Sequence, residues 1–104
     1  MQEIALNIIK EEFNKEHIQV HKVLLFGSRA PGKAKTGSDW DFLVLLNKEI
    51  GFHSRWNIVK QIKRKLAEKK IPNDIIVRSV KKFEEDKNNT GSIIYYANKQ
   101  AVEL

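Results

Sequence analysis

The chain has 104 residues, of which 41% are hydrophobic and 31% are charged, and its formal net charge at pH 7 is +6. Length and composition indicate one globular domain with one modest core. The sequence contains no cysteine, which excludes disulfides, thiolate zinc sites and cysteine nucleophiles. No apolar run approaches the ~20 residues of a membrane span, and the N-terminal segment is unlike a secretory signal. We therefore expect a soluble, cytoplasmic protein that does not bind membranes.

The predicted elements alternate between helices and strands. Amphipathic spacing predicts the helices, and short apolar runs predict the strands. In chain order we expect a helix over Gln2–Lys15, strands over Val20–Phe26 and Asp41–Leu46, a helix from an N-cap at Ser54 to about Lys69, a strand over Ile71–Arg78, and helices over Lys81–Asp86 and Ser92–Lys99. The second and third strands flank a helix, which favours a parallel pair. The order predicts an α/β (α+β) fold, a small mixed β-sheet with helices packed on it.

The excess positive charge is concentrated in one segment, Ser54–Lys70, which holds seven Lys or Arg residues and one Glu. A solvated helix face is the simpler interpretation. The alternative is a basic face that attracts nucleic acid or another polyanion.

The turn-rich stretch between the first two strands has two interpretations. Residues Gly27–Ala34 fit G-x-x-x-x-G-K after a strand, as a P-loop does. However, Ala34 lacks the hydroxyl that a P-loop places on magnesium, and the chain continues into a strand rather than a helix. We therefore favour the second interpretation, which uses Gly27-Ser28 together with Asp39 and Asp41.

Asp39 and Asp41 lie two residues apart at the start of the second strand. Strand alternation places both carboxylates on one side, roughly 6.5–7 Å apart at Cα. Two such carboxylates repel unless a cation lies between them, and Mg²⁺ beside phosphates is the usual solution. Asp74 begins the third strand and can complete a three-carboxylate site if that strand lies beside the second. Three carboxylates with triphosphate oxygens suit two metal ions.

The segment LLFGSRAPGKAKTGSDWDFLVLL resembles the signature G-S-x10-D-x-D of the DNA polymerase beta-type nucleotidyltransferase superfamily. The small size of the chain is similar to that of the minimal nucleotidyltransferases (MNT). The resemblance covers most of the chain and implies that residues 1–104 form a single nucleotidyltransferase domain.

The resemblance also implies roles for individual residues. Asp39 and Asp41 would bind two Mg²⁺ ions, and Asp74 would bind the catalytic metal and help to deprotonate the acceptor hydroxyl. Gly27 and Ser28 would hold the β- and γ-phosphates of a nucleoside triphosphate, with Arg29 adding positive charge. Pro31 stands where many relatives have a basic residue, so either Lys33 replaces that charge or the triphosphate binds more weakly.

The resemblance implies transfer of a nucleoside monophosphate, which we expect to be AMP from ATP, to an acceptor hydroxyl. By analogy with two-component modules, the favoured acceptor is a tyrosine of a HEPN-type helical toxin, with this chain as antitoxin. The alternatives are transfer to a small molecule or RNA end, and a binding module without catalysis. Nucleic acid is the less favoured partner.

Overall fold

The computed structural model describes residues 2–26, 39–91, 94–95 and 101–104. Its elements in chain order are α1 (Gln2–Lys15), β1 (Val20–Phe26), β2 (Trp40–Leu46), α2 (Phe52–Glu68), β3 (Asn73–Ser79), α3 (Val80–Asp86) and β4 (Val102–Glu103). Ile94 and Tyr95 are also helical, within the helix predicted over Ser92–Lys99. In the described part of the chain, no helix is both long and apolar enough to cross a membrane.

The four strands form one mixed sheet in the order β3-β2-β1-β4. β1 is antiparallel to both β2 and β4, whereas β2 and β3 are parallel. The expected α/β (α+β) class and the parallel pair across α2 are therefore confirmed. The parallel arrangement follows from the helical crossover, which returns the chain to the same end of the sheet.

Side chains bury both faces of the sheet, which explains the uninterrupted apolar runs of β1 and β2. On one face, α1 and α2 pack against alternate residues of β2, including Phe42, Val44 and Leu46. On the other face, Leu43 and Leu45 pack with residues that include Leu24, Phe83 and Ile94. The sheet is therefore a central layer, and β2 lies between two neighbouring strands inside it.

The start of α2 differs from the sequence prediction. The expected N-cap at Ser54 is wrong, because α2 begins at Phe52 with Gly51 as its cap and no side-chain cap hydrogen bond. The Gly51 carbonyl accepts the first helical hydrogen bond, from the Arg55 amide at 3.0 Å. This end of the helix is exposed, so water can satisfy its other amides.

β4 was not predicted from the sequence. Its two residues pair with Leu24 and Leu25 of β1. The Leu104 amide donates a further hydrogen bond to the Val23 carbonyl at 2.9 Å. The Lys22 Nζ lies 3.4 Å from Glu103 Oε1, in an ion pair between the two strands. A strand this short has no alternation to detect, so only its backbone partner identifies it.

Candidate active site

Parallel pairing brings two of the predicted carboxylates side by side. Asp41 of β2 and Asp74 of β3 are register partners, directly beside each other in the sheet. The Trp40 amide donates a 2.8 Å hydrogen bond to the Pro72 carbonyl, which fixes the amino ends of the two strands together. Asp41 and Asp74 are far apart in sequence, and the pairing of β2 with β3 brings them together.

The two carboxylates lie on the same face of the sheet. Leu43 and Ile76, two residues further along their strands, both pack on the face that carries Phe83. Side chains alternate along a strand, so Asp41 and Asp74 lie on this face as well. α1 and α2 pack on the opposite face, so their apolar contact with the sheet does not cover the two carboxylates.

Asp41 is a carboxyl of the site whose pKa is shifted. Burial raises the pKa of this carboxyl above its ordinary value, and the nearby charges of Asp74 and then Asp39 raise it further. Asp39 directly precedes β2 and is exposed, whereas Asp41 is half-buried. All three predicted carboxylates therefore interact, although they belong to two separate segments of the chain.

A lysine that the sequence analysis did not single out contacts the site. Although α2 packs on the opposite face, β3 is an edge strand of the sheet, and the Nζ of Lys63 of α2 lies 3.7 Å from Asp74 Oδ1 at this edge. The same ammonium donates to the Asn73 carbonyl at 3.2 Å and is 3.5 Å from Asn73 Oδ1. Lys63 belongs to the basic segment Ser54–Lys70, but no spacing within that segment distinguishes it from its neighbours. It supplies positive charge at the start of β3.

The three carboxylates have the donor chemistry of a magnesium site, because Mg²⁺ prefers oxygen ligands. Besides burial, the negative charges of Asp74 and Asp39 raise the pKa of Asp41, and a cation would offset these charges. Among the described residues, however, no three His, Cys, Asp or Glu side chains are already gathered around one position that could hold a metal ion. The described arrangement is thus an interacting carboxylate group and not a closed ligand cage.

The remaining predicted site residues, Gly27, Ser28 and Arg29, lie outside the described residues. The P-loop alternative over Gly27–Ala34 also falls there. Phe26, which immediately precedes Gly27, is the register partner of Asp41 on β1. The chain therefore leaves β1 for this segment directly beside Asp41.

The family model for "Polymerase beta, Nucleotidyltransferase" matches residues 7–100. The chain belongs to the polymerase beta-type nucleotidyltransferase family. This nucleotidyltransferase domain contains the paired carboxylates and almost the whole described sheet within the matched range. No curated protein matches the domain with significant sequence similarity.

Solved structures share the fold of this nucleotidyltransferase domain. A chain of the MntA–HpeT toxin–antitoxin complex is 15% identical with a TM-score of 0.57, over 93% of this chain and 69% of that one. A toxin–antitoxin structure with AMP-PNP gives 17% identity and a TM-score of 0.58, over 93% and 69%. A third relative comes from the tri-AMPylated Shewanella oneidensis HEPN toxin in complex with MNT antitoxin, at 17% identity and a TM-score of 0.56, over 99% and 71%. These likenesses establish the minimal nucleotidyltransferase fold.

Proposed function

We propose that this chain transfers AMP from ATP to a hydroxyl group of a protein, a tyrosine of a HEPN-type helical toxin, and so acts as an antitoxin. The observation that carries the proposal is the alignment of Asp41 with Asp74, together with the pKa of Asp41, which burial and then the charge of Asp74 raise. Family membership supports the reaction class. The partner is suggested by similar folds in complexes whose toxins include a tri-AMPylated HEPN protein.

In the proposed reaction, the acceptor oxygen forms a bond to the α-phosphorus of ATP as the bond to the β-phosphate oxygen breaks. Pyrophosphate leaves, and the acceptor proton passes to the Asp74 carboxylate. Asp39, Asp41 and Asp74 would hold two Mg²⁺ ions, which when bound would neutralise charge on the triphosphate and the leaving group. Gly27 and Ser28 would hold the β- and γ-phosphates, and Arg29 would add positive charge.

Labelled ATP tests the chemistry directly. The protein, Mg²⁺ and a lysate containing its natural partner are incubated with ATP labelled either at the α- or at the γ-phosphate. We expect label in protein only from α-labelled ATP, and mass spectrometry should find one or more AMP groups on tyrosine. Label from γ-labelled ATP would instead indicate phosphoryl transfer and contradict the proposal.

Matched variants connect the activity with the carboxylates. Asp41→Asn and Asp74→Asn should each lower transfer about a hundredfold or more, because charge stabilisation of the transition state is lost. Glu68→Gln changes an exposed carboxylate at the end of α2 and should leave transfer unchanged. Activity that survives both Asp substitutions would contradict the site assignment.

The same variants separate catalysis from binding. If Asp39→Ala abolishes transfer and also abolishes neutralisation of the toxin, the antitoxin acts as an enzyme. If neutralisation persists unchanged in Asp39→Ala, the chain acts as a binding module in that role. Label in RNA or in a small molecule would keep the reaction class but contradict the proposed acceptor.

A further inference from the structure

A concave site lies at the other end of the sheet from the carboxylates. It is an open cavity of about 340 Å³ at the carboxyl ends of β2 and β3, where Leu46 and Ser79 line it. Asp41 and Asp74 are near the amino ends of the same strands. Each strand has seven residues, so most of its length, roughly 15–20 Å, separates the two sites. A ligand in this cavity would leave the carboxylates accessible.

The cavity is lined with positive charge from several elements. Its four cationic side chains are Lys48 after β2, Arg55 of α2, Arg78 of β3 and Lys82 of α3. Among the described residues of the lining, Glu49 is the single carboxylate, and its Oε1 accepts a 3.3 Å hydrogen bond from the Ser79 hydroxyl. The lining therefore carries a net excess of three positive charges.

Within the described residues, Lys82 is the one member of the four cations that forms ion pairs. Lys82 is in loose contact with Glu85 and Asp86, at 4.0 and 3.9 Å. Arg78 donates to the Val77 carbonyl at 2.8 Å, which is a backbone group without net charge. The described ion pairs include neither guanidinium nor Lys48. Converging cations with few counter-charges create the potential that binds phosphate groups.

An exposed aromatic surface adjoins the cavity. A groove of about 290 Å³ between α2 and β3 shares Arg55, Val77 and Arg78 with it, and Phe52 and Trp56 also line the groove. These two aromatic side chains are 66% and 55% exposed, the largest values among the exposed large hydrophobic residues described. The Arg55 guanidinium lies over the Phe52 ring, 5.8 Å from its centroid. In the first turns of α2, one guanidinium, that of Arg55, therefore lies next to exposed aromatic rings.

We propose that this cavity and groove bind single-stranded nucleic acid, independently of nucleotidyl transfer. A phosphodiester lies among the four cations, and an adjacent base stacks on Trp56 or Phe52. A cationic cavity that adjoins exposed aromatic rings matches a polymer in which every repeat carries one charge and one flat base. An acidic protein segment would satisfy the cations but would supply no planar group for the exposed Trp56 ring.

Binding is measured by fluorescence anisotropy with a short, end-labelled oligo(rA) at low salt. Arg55→Gln and Arg78→Gln, each alone and combined, should weaken binding, the pair by about tenfold or more, because they remove phosphate contacts. Trp56→Leu should weaken binding about fivefold while leaving the charge unchanged. The double variant Lys10→Gln/Lys69→Gln removes the same net charge at exposed positions away from the cavity and should change affinity less than threefold.

Three results would overturn the proposal. Equal losses in the arginine pair and the lysine control would indicate non-specific attraction to a basic protein. A second contrary result has two parts: an oligoglutamate peptide with the same number of charges displaces the RNA, and Trp56→Leu does not change RNA affinity. Together they would indicate an acidic protein partner. Displacement by pyrophosphate at the same concentration as RNA would indicate a small phosphorylated ligand. Circular dichroism and thermal midpoints confirm that each variant is folded, and the single arginine variants keep the test valid if the pair does not fold.

Discussion

Under the proposed function, the role of Asp41 in the reaction opposes its contribution to stability. Asp41 is half-buried on β2, with Phe26 as its register partner on one side and Asp74 on the other. Burial and the neighbouring carboxylates raise its pKa above the ordinary value of 3.8. The folded state therefore favours the protonated carboxyl, although the proposed chemistry needs the ionised form.

Replacing this charge should stabilise the fold at neutral pH. Since the folded pKa is raised, the stability that Asp41 contributes is fully present below pH 3.8 and is lost as pH rises through the folded pKa. Asp41→Asn should consequently have a higher urea midpoint than the wild type at pH 7, and the difference should disappear near pH 3. Urea titrations at both pH values measure this.

Mg²⁺ provides an internal control for the Asp41 prediction. The ion should raise the thermal midpoint of the wild type more than that of Asp41→Asn, because it offsets the repulsion that only the wild type has. Glu68→Gln should respond to Mg²⁺ as the wild type does. A destabilised Asp41→Asn at pH 7 would contradict the electrostatic interpretation of the site.

Lys63 competes with a metal ion for Asp74, according to the proposed function. Its ammonium lies 3.7 Å from the carboxylate, in an ion pair whose side chains are 42% and 60% exposed. Exposed pairs are typically worth about 0.2–1 kcal/mol, so Lys63→Met should lower the Mg²⁺ concentration for half-maximal transfer about two- to fivefold. Lys60→Met, on the same helix but exposed, is the control. An unchanged or higher Mg²⁺ requirement in Lys63→Met would show that the lysine does not compete.

At the scale of elements, two helices end in the same way. His17 and Lys70 have positive φ angles of 58° and 60°, one just after α1 and the other just after α2. In each case the residue that follows, Ile18 or Ile71, donates its amide to a carbonyl in the last turn, at 3.0 and 2.9 Å. Both isoleucines are buried in the core. This Schellman arrangement turns the chain from helix toward strand without the glycine that usually favours it.

Glycine should improve the second of these caps. Lys70→Gly removes the Cβ that makes a left-handed backbone unfavourable, so the free energy of unfolding should rise by about 0.5–1 kcal/mol. Urea denaturation checks the change. Lys69→Gly, at φ −88° one residue earlier, should instead lower stability, because glycine there only increases the entropy of the unfolded chain. A stabilising effect at both positions would contradict the cap argument.

The sequence predicted elements well where periodicity extended over several turns or residues. α1 and β1 have the predicted bounds, and β2 begins one residue earlier than expected. The expected strand over Ile71–Arg78 begins instead at Asn73, because Ile71 still belongs to the cap of α2. Ser54 was a plausible cap by residue type, but a helix can begin on a backbone carbonyl alone. Local propensity does not contain that information.

At the scale of the whole molecule, one buried carboxylate joins the two large helices. Glu12 of α1 is 7% exposed, and its Oε2 accepts hydrogen bonds from Lys65 of α2 at 2.6 Å and Lys15 at 2.9 Å. Burial acts to raise the pKa of Glu12, but the hydrogen bonds and charges of Lys65 and Lys15 outweigh it and hold that pKa below 4.5. This network connects α1 with α2 on one face of the sheet.

Acid should weaken this connection. Because the folded pKa of Glu12 is lowered, its stability is present above pH 4.5 and is lost as pH falls through the folded pKa. Lys65→Met should reduce the free energy of unfolding by about 1–3 kcal/mol at pH 7, and by much less at pH 2. Lys60→Met should be near neutral at both. A loss for Lys65→Met that does not change with pH would mean that packing, and not charge, is responsible.

The candidate site was predictable only in part. The D-x-D pattern and the acidic start of β3 named Asp39, Asp41 and Asp74, and the helical crossover predicted that β2 and β3 are parallel. Lys63 was not predicted, because its contact depends on how α2 lies along β3. The basic cavity likewise gathers Lys48, Arg55, Arg78 and Lys82 from separate elements, and no local motif connects them.

The pairing of Asp41 with Asp74 depends on the register of the parallel strands β2 and β3. Asp74 lies beside Asp41 on the same face because the two strands are in their native register. Slippage of β3 by a single position would turn Asp74 to the side of the sheet covered by α1 and α2, whereas slippage by two would return it to the original side. Under the proposed function, nucleotidyl transfer would therefore report the register of β3 in variants whose α2–β3 turn has been lengthened.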